Sequence, residues 1–158
     1  MIAVTFRPPQ EADLDWLAAN MRAMDALECR VAGGHEPRQA LAEGVDASLW
    51  CYVAEVDGKL VCAFGVAPDG LLGEEGAPWM LCAEGIERHA KAVLICARRF
   101  ILEMRHQFER LANVVHADNR SAIRFLKWCG FEFGERFDIN GEPFLAFDWR
   151  RQELREAA

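Results

Sequence analysis

Apolar residues recur with two different periods along this chain, and the switches between them mark out its elements. The opening VTFR alternates and then breaks at Pro8-Pro9, which predicts a strand ending in a turn. Leu14, Leu17, Met21 and Met24 recur at helical spacing, with Asp13 placed to cap them and Gly33-Gly34 to stop them. Pro37 suits the first turn of a second, short helix through about Glu43. SLWCYVAEV and KLVCAFGVAP are β-branched and aromatic runs joined by Asp57-Gly58, a strong hairpin signal.

After a Gly/Pro-rich loop, PWMLCAEGI reads as a further strand. Val93, Ala97, Phe100, Met104, Phe108 and Leu111 then mark one face of a long helix whose other face is basic. LANVVHA is a short strand, and Asn119 caps the helix NRSAIRFLKWC, which stops at Gly130. FEFGERF and EPFLAFDW are final strands around the turn Asn140-Gly141. The predicted order is β-α-α-β-β-β-α-β-α-β-β: a mixed α/β sheet packed by helices, one domain over 1–150 with a frayed tail at 151–158.

Composition narrows the function classes. The chain has 158 residues, 52% hydrophobic and 27% charged, an ordinary globular balance. Its apolar runs are too short for a membrane span, and the N-terminus lacks the features of a signal peptide. A net charge of −7 argues against broad nucleic-acid binding. The charge is unevenly spread: residues 11–57 hold ten Asp/Glu against three Lys/Arg, and residues 87–127 hold nine Lys/Arg against four Asp/Glu. An anionic ligand is drawn to the second region. Six scattered cysteines without a CxxC pair or zinc spacing predict free thiols in a cytoplasmic protein, no two of them placed to bridge, and no metal site.

The segment HADNRSAIRFLKWCGFEF resembles the late signature of the GNAT N-acetyltransferase superfamily: strand, Asn, Ala-Ile pair, helix, then Gly-Phe opening the next strand. The element order extends that resemblance over about the whole chain. PWMLCAEGIERHAKA followed by a basic helix is similar to small GNAT-like proteins of phages and prophages, some of them internal virion components.

The resemblance implies acetyl-CoA as co-substrate and an amine as acceptor. It also implies a cofactor gap between the strands around Cys82 and Val115, with the pantetheine arm on the backbone near Leu81 and Cys82. The pyrophosphate then sits on N–H groups at the start of the long helix, where Arg88, His89, Ala90, Lys91 and Ala92 lie. Asn119 is a further cofactor contact and Glu84 the candidate general base. A homodimer or a phage virion partner is left open, as is a host-interaction module without catalysis. Two departures stand out. Glu87, Ala90 and Ala92 replace the usual Gln/Arg, Gly and Gly/Ala of the phosphate loop. Leu126 replaces the Tyr that protonates the leaving thiolate, and the only tyrosine is Tyr52.

Each of these residues also has a structural reading. Asn119 is a helix cap, His116 a sheet residue, Cys82 a buried thiol and Glu84 an exposed strand-end carboxylate. Trp79 and Trp128 are packing residues. Arg98, Arg99 and Arg105 form a solvated helix face, or else hold the CoA 3′-phosphate.

Overall fold

The structure, a computed structural model, describes residues 2–69 and 72–152. Its strands are β1 (Val4–Arg7), β2 (Trp50–Val56), β3 (Lys59–Asp69), β4 (Glu75–Cys82), β5 (Arg110–His116), β6 (Glu132–Ile139) and β7 (Glu142–Arg150). Its helices are α1 (Glu11–Ala19), α2 (Ala23–Val31), α3 (Pro37–Ala47), α4 (Ala90–Gln107) and α5 (Arg120–Trp128), and a 3₁₀ turn spans Ile86–His89. The strands form one mixed sheet in the order β1-β2-β3-β4-β5-β7-β6, antiparallel except for β4 beside β5. The mixed α/β class predicted from the sequence is the one observed.

Both hairpins turn where the dipeptides placed them. Asp57 and Gly58 have φ of 49° and 80°, and Asn140 and Gly141 have 49° and 86°. Two consecutive positive φ values match the right-handed twist of the flanking strands, and Asx-Gly supplies them at least cost.

The N-terminal helical region differs from expectation. The apolar spacing predicts one helix from Asp13 to Gly33, but the chain forms α1 and α2 with a break at Asn20–Arg22. There Met21 pairs with Ala83 as an isolated antiparallel bridge, the Arg22 N–H donates to the Cys82 carbonyl at 2.9 Å, and the Glu84 N–H donates to the Asn20 carbonyl at 2.9 Å. Strand-type bonds to the end of β4 outcompete two helical ones, although Leu14, Leu17 and Met21 are all buried as their spacing implied. Gln10, not Asp13, stands at the N-cap. Asp13 sits three residues on and accepts the Gln10 N–H at 2.8 Å. It also pairs with Arg7 at 2.6 Å, which holds its carboxyl below the usual carboxylate range.

Two layers cover the sheet. On one face Leu14, Leu17, Cys29 and Leu41 of α1–α3 pack on Val53, Ala63 and Leu81. On the other, Met104 of α4 and Ile123 and Leu126 of α5 pack with Leu111, Val115 and Phe147. Each fully buried Leu or Phe contributes about 1.5–3 kcal/mol by leaving water. Trp79 is half-buried and donates to the Ser48 hydroxyl at 2.7 Å, whereas Trp128 is 51% exposed with Arg98 5.9 Å from its ring centroid. Arg105 is not on a solvated face. It donates to the Cys129 carbonyl at the end of α5, and its guanidinium lies over Trp149 at 5.1 Å.

The feature that positions the site lies between β4 and β5. They pair only at Glu75↔Arg110 and Gly76↔Leu111, and then part. Pro78 faces β5 with no N–H to offer, and the Asn113 side chain reaches across to its carbonyl at 2.9 Å. Beyond that tie the two strands no longer pair, and this break in the ladder is the gap between them.

Candidate functional site

Strand alternation decides which backbone groups face the gap. The Ala83 N–H donates to Val61 of β3 at 2.9 Å, so the polar groups of its neighbour Cys82 point the other way, into the gap. On the opposite bank the Ala117 N–H donates to the Pro143 carbonyl of β7, so the polar groups of His116 face the gap from β5. Both exposed N–H groups are met by carboxylates of α2. Cys82 donates to Asp25 Oδ2 at 2.8 Å, and His116 donates to Glu28 Oε1 at 2.9 Å. Three residues apart, these two side chains lie on one face of α2 and reach both banks.

Arg22 joins this cluster to the far side. Its guanidinium bonds Asp25 Oδ1 at 2.8 Å, Ser121 Oγ at 2.8 Å and Asn119 Oδ1 at 3.3 Å, with Glu87 at 3.5 Å. Asn119 returns its amide to Glu28 Oε1 at 2.9 Å. The predicted cap therefore stands at the N-cap position of α5 but makes no side-chain capping bond. It is 2% exposed, and charged partners hold its side chain more strongly than a backbone N–H would.

Burial raises the Asp25 carboxyl to about 6, against the opposing pull of Arg22 and the Cys82 N–H. Burial also raises Glu28, opposed by its bonds from Asn119 and His116. His116 accepts the Asp118 N–H on Nδ1 at 3.0 Å, so its ring proton sits on Nε2, which lies 2.7 Å from Glu142 Oε2.

The predicted cofactor residues fall into three groups. Cys82 and Asn119 are in the gap network. The polar groups of Leu81 face β3, where it pairs with Ala63, and its side chain packs under α1–α3. Arg88 to Ala92 form the 3₁₀ turn and the start of α4, as expected by position, but the turn uses some of their donors. The Arg88 N–H goes to Gly85 at 3.1 Å, and the Ala90 N–H goes to Glu87. Lys91 and Ala92 follow as the second and third residues of α4, while the Arg88 and Lys91 side chains are exposed.

Glu84 is exposed and lines a separate cleft of about 490 Å³ with Trp16, Lys59 and Arg88. None of the residues lining that cleft belongs to the gap network. Leu126 packs into the core, and Tyr52 lies in an aromatic cluster 5.5 Å from Phe100, so neither brings a hydroxyl to the gap.

All six cysteines are free. Contrary to expectation, two of them do approach: Cys62 and Cys82 are direct partners across β3 and β4. Hydrogen bonding between them, together with burial, pushes the Cys82 thiol up, which leaves it an inert core group. Among the described residues, no cluster of three or more His, Cys, Asp or Glu is arranged to hold a metal ion, and no helix is long and apolar enough to cross a membrane.

Arg22, Asp25, Glu28 and Ser121 were not singled out from the sequence. The signal available was the spacing of 22, 25 and 28, which puts three charges on one face of α2 between buried Ala26 and Cys29.

The fold is that of GNAT-type N-acetyltransferases. A ribosomal-protein-alanine N-acetyltransferase from Brucella melitensis superposes with a TM-score of 0.68, covering 93% of this chain and 99% of its own at 20% identity. Ard1 from Thermoplasma volcanium gives 0.70 over 96% and 99% at 16% identity. The aminoglycoside acetyltransferase AAC(6')-Ib, in complex with paromomycin and acetyl-CoA, gives 0.65 over 99% of both chains at 17% identity. No protein-family model and no curated protein sequence matches the chain.

Proposed function

We propose that this protein transfers an acetyl group from acetyl-CoA to an amine by direct attack within a ternary complex. The observation that carries this reading is the parting of β4 from β5 after Gly76↔Leu111, within a fold shared with N-acetyltransferases. An extended pantetheine arm adds to a free strand edge as a peptide would. On β4 that edge is open at Met80, whose polar groups alternate with those of Leu81 and have no β5 partner. Arg88, Lys91, Arg120 and Arg124, all exposed, supply positive charge around the starts of α4 and α5 for the phosphates.

Positioning carries most of the rate. Holding amine and thioester together is worth about 7–11 kcal/mol. Glu84, two residues past Cys82, lines the neighbouring cleft with Trp16 and Lys59, and it acts as base only for an acceptor amine that enters through that cleft. With leucine at 126, the leaving thiolate takes its proton from the attacking nitrogen. The acidic N-terminal helices favour a cationic acceptor, and six free thiols fit a reducing cytoplasm. Calorimetry with acetyl-CoA and with CoA tests the reading. Saturable binding of both is expected. No binding at millimolar cofactor would leave the fold as a non-catalytic interaction module.

A further inference from the structure

The gap edge of β4 carries a ligand from its own chain. Pro78 has no N–H, and its carbonyl is taken by Asn113. Two residues on, Met80 is open. Two further on, at about 6.6 Å by strand rise, Cys82 has its N–H on Asp25 and its carbonyl on the Arg22 N–H. An arm lying along β4 therefore finds one free residue and then meets a buried carboxylate on the next inward-facing donor.

We propose, on the basis of the acetyl-CoA reading above, that Asp25 occupies the Cys82 N–H in place of a carbonyl of the extended acetyl-CoA arm, and that cofactor binding displaces it. The exchange is unequal: an ionised carboxylate makes a stronger bond to an N–H than a neutral carbonyl does. The displaced carboxylate keeps Arg22 as its partner on the α1–α2 junction. It still faces Glu28 on α2, Asn119 at the start of α5, Cys82 on β4 and Cys29 on α2, with His116 of β5 behind Glu28 and Glu87 of the 3₁₀ turn behind Arg22. It has lost a donor that stabilised its charge while remaining buried beside a second carboxylate.

The sign follows from that loss. The Cys82 bond lowers the affinity of Asp25 for a proton, and burial has already raised its carboxyl to about 6. Removing the bond raises it further in the bound state, so a proton is taken up on binding near neutral pH. Acetyl-CoA then binds more tightly at pH 6 than at pH 8. Asp25 acts as a positioning residue, keeping β4 and α2 in register until the cofactor arrives.

Calorimetry at pH 6.5 in two buffers of different ionisation heat counts the protons. The CoA 3′-phosphate titrates in the same range, so the difference between the unaltered protein and Asp25→Asn is the readout. Expected is a net uptake of a substantial fraction of one proton that Asp25→Asn abolishes. Equal proton counts in the unaltered protein and Asp25→Asn overturn the displacement while leaving the acetyl-CoA site standing. Absence of acetyl-CoA binding by the unaltered protein overturns both. If Asp25→Asn does not fold, the carboxyl carbon resonance of Asp25 in the unaltered protein decides the matter. Its titration midpoint rises with saturating acetyl-CoA if the displacement occurs, and an unmoved midpoint refutes it.

Discussion

The Asn113 side chain donates to the Pro78 carbonyl at 2.9 Å, at the point where β4 and β5 stop pairing. Its own Oδ1 accepts the Val114 N–H at 2.8 Å, so one amide satisfies groups on both strands that the ladder no longer serves. Asn113→Ala leaves the Pro78 carbonyl without its partner in a partly buried setting. A loss of about 0.5–1.5 kcal/mol is expected, with faster exchange of the Val114 amide. Denaturant unfolding and hydrogen exchange check it, and an unchanged amide would mean that the tie does not anchor the opening of the gap.

Gly76 lies in the last pair before the strands part, and a Cβ there would come within 2.8 Å of the Phe108 ring. Phe108 is buried in the core, so the ring has little room to yield. Gly76→Ala should cost about 1–3 kcal/mol through overpacking. A melting temperature equal to that of the unaltered protein would show that the β4–β5 junction is looser than this contact implies.

Two carboxylates tie stability to pH with opposite signs. Asp25 is raised on folding to about 6, so its contribution is fully present below the unfolded value near 4 and is lost as pH rises through 6. That rise corresponds to about 3 kcal/mol of buried-charge cost at neutral pH. Asp13 is held low by Arg7, so its contribution is present above the unfolded value and fades as the pH falls through its folded value. Urea unfolding between pH 3 and pH 8 should show Asp25→Asn gaining on the unaltered protein as pH rises. Asp13→Asn should close on it as pH falls below 4. Parallel curves for either variant would contradict that assignment.

Ala90 opens α4 with an exposed side chain. Ala90→Asp puts a negative charge where the proposed pyrophosphate lies and should weaken acetyl-CoA binding at least tenfold. The same charge favours the helix N-terminus by about 0.3–1 kcal/mol, so loss of binding with an undiminished melting temperature cannot come from unfolding. Ala90→Gly should bind as well as the unaltered protein. Unchanged affinity in Ala90→Asp would place the phosphates elsewhere.

Much of this architecture was legible in the chain because its causes are local. Alternation, helical spacing, Asp57-Gly58 and Asn140-Gly141 each act over a few residues, and they sufficed to place most strands and helices; the acyltransferase fold was implied by the resemblance of HADNRSAIRFLKWCGFEF to a known family signature. The break at Met21 was not legible, since its cause is Ala83, 62 positions away. The gap network was hidden for the same reason. Asp25, Glu28, Asn119 and His116 come from two helices and a strand, and what joins them is the need of two unpaired strand-edge N–H groups for acceptors. Periodicity reports which face of an element is buried. Only the packed chain decides which backbone groups a sheet leaves unpaired, and therefore which side chains must meet them.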